Sequence, residues 1–197
     1  SDISDSGVIS HISQEYRNGW GTAESVEICH AAAGKEYMGR KDMTGRVFFS
    51  DKERFAELLN LHLYHGAKVL LPENLVQRKR EYSSLADVYG QKNRDILMED
   101  TKNRICYGVE LETEADYSMP ERIMVYDACE YEHQIRAICR KHQEEGTFEE
   151  FRDRKSRMKK EDFLLPTVTV VLYLGEGHWE GKRRLTDLFP LPAYTAE

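Results

Sequence analysis

An α/β fold is predicted for this chain by three observations: two amphipathic segments opened by Ser-x-x-Glu boxes, two adjacent stretches alternating with period 2, and one apolar, β-branched run. With 197 residues, 40% of them hydrophobic, there is material for one core and little for a second.

The first box, Ser50-Asp51-Lys52-Glu53, has side chains able to satisfy the first orphan amides of a helix. Phe55, Leu58, Leu59 and Leu63 follow at helical spacing, and Gly66 suits a left-handed residue beyond the end, so a helix is expected over about 51–65. Residues 67–71 predict a short strand, and the polar, basic stretch 72–93 predicts loop with weak helix. Residues 95–99 and 104–112 alternate with period 2 around the turn-like Asp100-Thr101-Lys102-Asn103, which predicts an antiparallel hairpin. On its second strand Ile105, Tyr107, Val109 and Leu111 should share one face, and Cys106, Gly108, Glu110 and Glu112 the other.

The second box, Ser118-Met119-Pro120-Glu121, opens a pattern through Ile123, Tyr126, Ile135 and Ile138 that predicts a helix over about 119–144, ending near Gly146. Thr147-Phe148-Glu149-Glu150 is a candidate cap for a short basic helix. Residues 166–174 are apolar and β-branched enough to be a strand buried on both faces, followed by a turn region from Gly175 to Gly181. The expected order is α-β-β-α-β.

Residues 1–37 show neither period, and are expected to be a poorly ordered arm outside a fold assigned to 38–197. Gly34-Lys35-Glu36 precedes Met38, and codons for Gly-Lys-Glu can spell a purine-rich ribosome-binding sequence, which makes Met38 a candidate natural start. A native peptide from before Met38, found by mass spectrometry, would rule that out.

The longest apolar run, 168–174, is far below the ~20 residues of a membrane span, and no N-terminal stretch joins a basic region to an apolar one. No membrane partner is expected, and the cytoplasm is the expected compartment. The four cysteines follow no CxxC spacing and read as free thiols. Cys129, His133, Cys139 and His142 fall on one predicted helix, but at about 0°, 40°, 280° and 220° around its axis and with Cys129 and Cys139 roughly 15 Å apart they cannot close on one ion.

Net charge is −7, which argues against a nucleic-acid partner, but residues 1–37 carry six acids against two bases, leaving −3 on the other 160. Bases cluster at Arg78-Lys79-Arg80, in 152–160 (notably Arg154, Lys155 and Arg157) and at Lys182-Arg183-Arg184, runs that suit either a phosphate backbone or a solvated charged face.

An acid at the start of one strand and two acids at i and i+2 on its neighbour can converge, because paired strands run about 4.8 Å apart and alternate side chains share a face. Asp95, Glu110 and Glu112 meet that description. Three crowded carboxylates repel one another unless a cation neutralises them, and hard oxygen ligands suit Mg²⁺ or Mn²⁺.

The stretches Arg94-Asp95-Ile96-Leu97, Gly108-Val109-Glu110-Leu111-Glu112 and Asp116-Tyr117-Ser118-Met119-Pro120-Glu121-Arg122, with Tyr126-Asp127, resemble the Rpn family of recombination-promoting nucleases, a transposase-associated branch of the PD-(D/E)XK superfamily. The resemblance extends to 55–60, 165–175 and Trp179, and so covers most of 38–189. It implies a restriction-endonuclease-like αβββαβ core with a mixed central sheet flanked by helices, Mg²⁺-dependent endonuclease cleavage of DNA phosphodiesters, and a link to DNA recombination. By position it implies that Asp95 and Glu110 are metal ligands, with Glu57 an additional candidate. Glu112 departs from the family's usual Gln and the superfamily's Lys, although some restriction enzymes carry an ExE version.

The mechanism that follows places Mg²⁺ on Asp95, Glu110 and the Leu111 carbonyl, with Glu112 as base or second-metal ligand. Lys92, Lys102 and Arg122 are the candidates for the missing positive charge, and Arg122 has a rival role pairing with Glu121 or Asp116. The alternative from another class is a degenerate, non-cleaving relative that binds DNA or a protein partner. Family members generally continue past Leu188-Phe189, so C-terminal truncation is a further expectation, as is a homo-oligomer among the candidate partners.

Overall fold

The computed structural model describes residues 27–30, 41–78, 81–82 and 92–190, with the backbone alone at 27–30, 41–44, 81–82 and 92–93. In chain order the elements are β1 (Glu27–His30), α1 (Lys41–Phe49), α2 (Lys52–Leu63), a 3₁₀ turn (Pro72–Asn74), β2 (Leu75–Gln77), β3 (Glu81–Tyr82), β4 (Lys92–Asn93), β5 (Ile96–Asp100), β6 (Ile105–Glu112), α3 (Met119–Glu144), α4 (Phe151–Ser156), β7 (Thr167–Tyr173) and a second 3₁₀ turn (Leu185–Leu188). The main sheet is mixed, in the order β1-β7-β6-β5-β2, and β3 pairs with β4 apart from it. Strands β2, β5 and β6 form an antiparallel meander, and β7 lies parallel to β6. A parallel neighbour requires a crossover, which α3 supplies over the sheet.

The hairpin forms as the alternation predicts, with Ile96 opposite Val109 and Asp100 opposite Ile105. The inward set Tyr107, Val109 and Leu111 joins Ile96, Met98, Val170 and Leu172 in a core closed by Phe55, Ala56 and Leu59 of α2. Beneath α3, on the other face, Met119, Ile123, Val171, Tyr173 and Trp179 make a smaller apolar cluster. Strand β7 is buried on both faces, as its unbroken apolar run requires.

Local signals resolve differently at four places. Helix α2 is capped by Asp51, whose carboxylate accepts from the Glu53 and Arg54 amides at 3.1 and 3.2 Å, so the Ser50 box is displaced by one residue. At α3 the Ser118 side chain makes no capping bond; its amide and hydroxyl both donate to Asp116, at 2.8 Å each. Helix α4 starts from Glu150, because the Thr147 hydroxyl is engaged with His142 at 2.6 Å. No strand forms at 67–71. The Asn60 carboxamide takes that segment's backbone groups instead: its Oδ1 accepts from the amides of Val69 and Leu70, at 3.0 and 2.8 Å, and its Nδ2 donates to the Leu70 carbonyl at 2.8 Å.

Strand β1 corrects the expectation that all of 1–37 lies outside the fold. Glu27–His30 pairs with β7 in parallel, Glu27 opposite Val170. Main-chain hydrogen bonds to an open sheet edge need no apolar period, so composition carries no sign of them. The rest of 1–37 lies outside the described residues, as do 38–40 and 191–197. Among the described residues no helix is long and apolar enough to cross a membrane.

Replacing Asn60 by Ala removes three hydrogen bonds at a site only 8% exposed and orphans two amides and a carbonyl. A stability loss of about 2–4 kcal/mol is expected, read as a lower urea midpoint at unchanged slope.

Candidate functional site

The register that sets Ile96 against Val109 brings Asp95, one residue earlier, beside Glu110. Both are buried, Asp95 at 7% and Glu110 at 2% exposure. Asp95 is held from two sides: its Oδ2 accepts from the Leu111 amide at 2.8 Å, and its Oδ1 pairs with Arg46 Nε at 2.7 Å. Arg46 reaches the site from α1, which packs against β6 with Gly45 over Leu111; a Cβ on that glycine would stand 3.1 Å from the Leu111 side chain.

Glu110 has the more unusual environment. Its Oε1 is buried without a hydrogen-bond partner. Burial pushes its carboxyl up to about 8, with Asp95 adding to the rise, while Arg94, Arg122 and a backbone hydrogen bond from Asp95 pull the other way. A carboxyl in that state is largely protonated at neutral pH.

Glu112 does not join the pair as expected. Arg122, from the first turns of α3, donates to Glu112 and also to Asp116 at 3.0 Å, and its Nη2 is 4.0 Å from Glu110. The guanidinium is a counter-charge shared by Glu112, Asp116 and Glu110. Among the described residues no group of three or more His, Cys, Asp or Glu side chains is placed to hold a metal ion. The register sets Asp95 beside Glu110, and Glu112 shares the Arg122 guanidinium with Glu110 without completing a three-acid metal group. Of the two partners weighed for Arg122, Asp116 is the one it pairs with.

Behind the acids lies a buried cation. Arg94, 1% exposed, donates to Thr169 Oγ1 at 2.6 Å and to Asp127 on α3, and its guanidinium carbon lies 5.3 Å from the centre of the Tyr126 ring. Gly108 makes room for it: a Cβ there would collide with Arg94 Nη1 and stand 3.2 Å from Thr169 Oγ1. Burial raises the Asp127 carboxyl despite the pull of Arg94.

No family model, curated protein or solved structure matches the chain. What this site can do therefore rests on its own geometry.

The remaining candidates lie elsewhere. Glu57 is exposed on α2. Lys102 sits in the β5–β6 turn, at the far end of a five-residue strand from Asp95 and so roughly 17 Å away, which removes it as a source of charge for the acids. Lys92 is in β4, paired through its backbone with Tyr82. Arg78 is bound to Glu99 and to buried Glu130, at 2.7 and 2.8 Å, so two acids of the fold already claim its guanidinium. Lys79 and Arg80 lie outside the described residues. Arg157 grips Glu132 with both terminal nitrogens, at 2.9 and 3.0 Å, and with Arg136 holds that carboxyl down to about 2. Arg154 donates to the Phe148 carbonyl, and Lys155 is exposed.

Sequence reasoning missed Arg46. It stands on a nine-residue helix where no apolar period was read, and nothing in its neighbours points toward Asp95. The role of Gly108 was equally hidden, since a glycine on a strand reads first as a weak point.

Two outcomes follow. Gly108→Ala should cost about 1–3 kcal/mol through overpacking against Arg94, measured by denaturant unfolding. For Glu110, the folded state keeps its proton above the pH at which the unfolded chain loses it, so this residue makes stability fall as pH rises from about 4.5 to about 8. Glu110→Gln should flatten that part of the curve relative to wild type, by up to roughly 1.4 kcal/mol per pH unit; parallel curves for the two proteins would exclude the raised carboxyl.

Proposed function

We propose that the chain is a Mg²⁺- or Mn²⁺-dependent DNA endonuclease of the PD-(D/E)XK type, with Asp95 and Glu110 as its essential acids. The observation that carries this reading is the meeting of these two buried carboxyls, one of them with an unpartnered oxygen, at the end of the β5–β6 pair. With β1, α1, β3, β4 and α4 set aside, the order of α2, β2, β5, β6, α3 and β7 is α-β-β-β-α-β around a mixed sheet, an order that supports this reading.

Two carboxyls and a backbone carbonyl are donor types that a hard divalent cation takes. Asp95 and Glu110 would supply carboxylate oxygens and Leu111 its carbonyl, and a cation beside Glu110 would offset the cost of its burial. Bound there, the ion would activate water and polarise the scissile phosphate. The chain's own contribution is positioning: the Leu111 amide orients Asp95, Arg94 supplies fixed positive charge behind Glu110, and Arg122 sets Glu112 at the rim, where it would accept the water's proton. Arg122 itself keeps a quarter of its side chain exposed, which leaves it able to meet a phosphate.

A second reading is favoured by one observation, the Arg122–Glu112 pair at the position where the family carries Gln and the superfamily Lys. In that reading the scaffold binds DNA or a protein without cleaving.

Incubation with supercoiled plasmid and Mg²⁺ or Mn²⁺ should yield nicked and linear DNA, and Asp95→Ala should reduce the rate by at least about a hundredfold. Binding without nicking would support the second reading, and neither binding nor nicking would remove both.

A further inference from the structure

Three guanidiniums surround the acid pair, and they are not equivalent. Arg94 is wholly buried, with Asp127 and Thr169 on one side and Gly108 beneath it. Arg122 is shared among Glu112, Asp116 and Glu110. Arg46 alone of the three combines direct contact with a buried acid and a substantially exposed side chain, 40% against 26% for Arg122. It also comes from a separate element, α1, whose close approach to β6 over Gly45 fixes where the side chain starts.

The pairing with Asp95 has an electrostatic consequence. Asp95 is only 7% exposed, and Arg46, with a side chain 40% exposed, provides its counter-charge. A divalent cation on Asp95 would take over that task and repel the guanidinium, which stays tethered to α1 beside the site. A phosphodiester entering next to the cation presents two non-bridging oxygens, the geometry that a planar guanidinium matches with paired N–H donors. No lysine occupies position 112 to meet those oxygens, since that residue is Glu112.

We propose that Arg46 is the phosphate-contacting residue of this site, held by Asp95 until a divalent cation displaces it and then bound to a non-bridging oxygen of the phosphodiester. The proposal rests on the nuclease reading and names a residue that neither the family resemblance nor strand periodicity singles out.

The test compares wild type, Arg46→Ala and Arg46→Lys in the full chain. Mn²⁺ affinity is measured by calorimetry without DNA, and affinity for a short DNA duplex by fluorescence anisotropy in Ca²⁺ across a salt series. Arg46→Ala should bind Mn²⁺ at least as tightly as wild type, because the competitor for Asp95 is gone. It should bind the duplex about tenfold more weakly, with the salt slope smaller by about one unit. Arg46→Lys, which keeps the charge without the fork, should fall between them. Unchanged duplex affinity and slope in Arg46→Ala would overturn the proposal, as would weaker Mn²⁺ binding, which would make Arg46 a prop for Asp95. A wild type that binds Mn²⁺ and duplex with the expected Arg46 dependence but never nicks plasmid would sink the nuclease reading and leave the phosphate contact standing; one that binds neither sinks both.

Discussion

Arg94 lies with its whole guanidinium out of water, between the bare backbone of Gly108 and the ring of Tyr126, bonded to Thr169 and Asp127. Removing a charge from water costs several kcal/mol, so the arrangement persists only because each partner is in place. Those partners come from β6, β7 and α3, the three elements whose relative placement defines the sheet and its crossover. The interaction therefore does two things at once. It registers α3 against the sheet where apolar packing is thin, and it puts a fixed positive charge behind Glu110.

That charge explains how two carboxyls coexist inside the fold. Asp95 has the Leu111 amide and Arg46, and Glu110 has Arg94 and Arg122 at a greater remove. The compensation is incomplete at Glu110, whose unpartnered oxygen and raised carboxyl are the marks of a group held at a cost. Groups of that kind gather where a fold is built to meet a ligand. Cys106 offers no rival: it lies on the same strand face, but burial pushes its thiol up to about 12, far from the range of a nucleophile.

Long, strongly patterned elements were legible in the sequence. The helix expected over 119–144 and the hairpin around residues 100–103 form at those places, because apolar periodicity over many residues leaves one way to bury a face. Short elements were not. Strand β1 pairs through its backbone, and the segment 67–71 is claimed by the Asn60 side chain. Neither a sheet edge nor a buried carboxamide is visible in local composition. The two Ser boxes failed for a related reason, since at each a neighbouring Asp, Asp51 or Asp116, is the stronger acceptor.

By itself the sequence determined the α/β class, the hairpin and the facing of Asp95 and Glu110, because period 2 and strand spacing leave those side chains nowhere else to point. Only the tertiary structure decided which charges meet there. Arg46 stands on a helix, 49 positions upstream of Asp95, Arg122 pairs with Glu112 and Asp116, and Arg78 is spent on Glu99 and Glu130. The reason is physical: side-chain period is a local property, but the partner of a buried charge is whichever group the packing of distant segments leaves within a few ångströms of it.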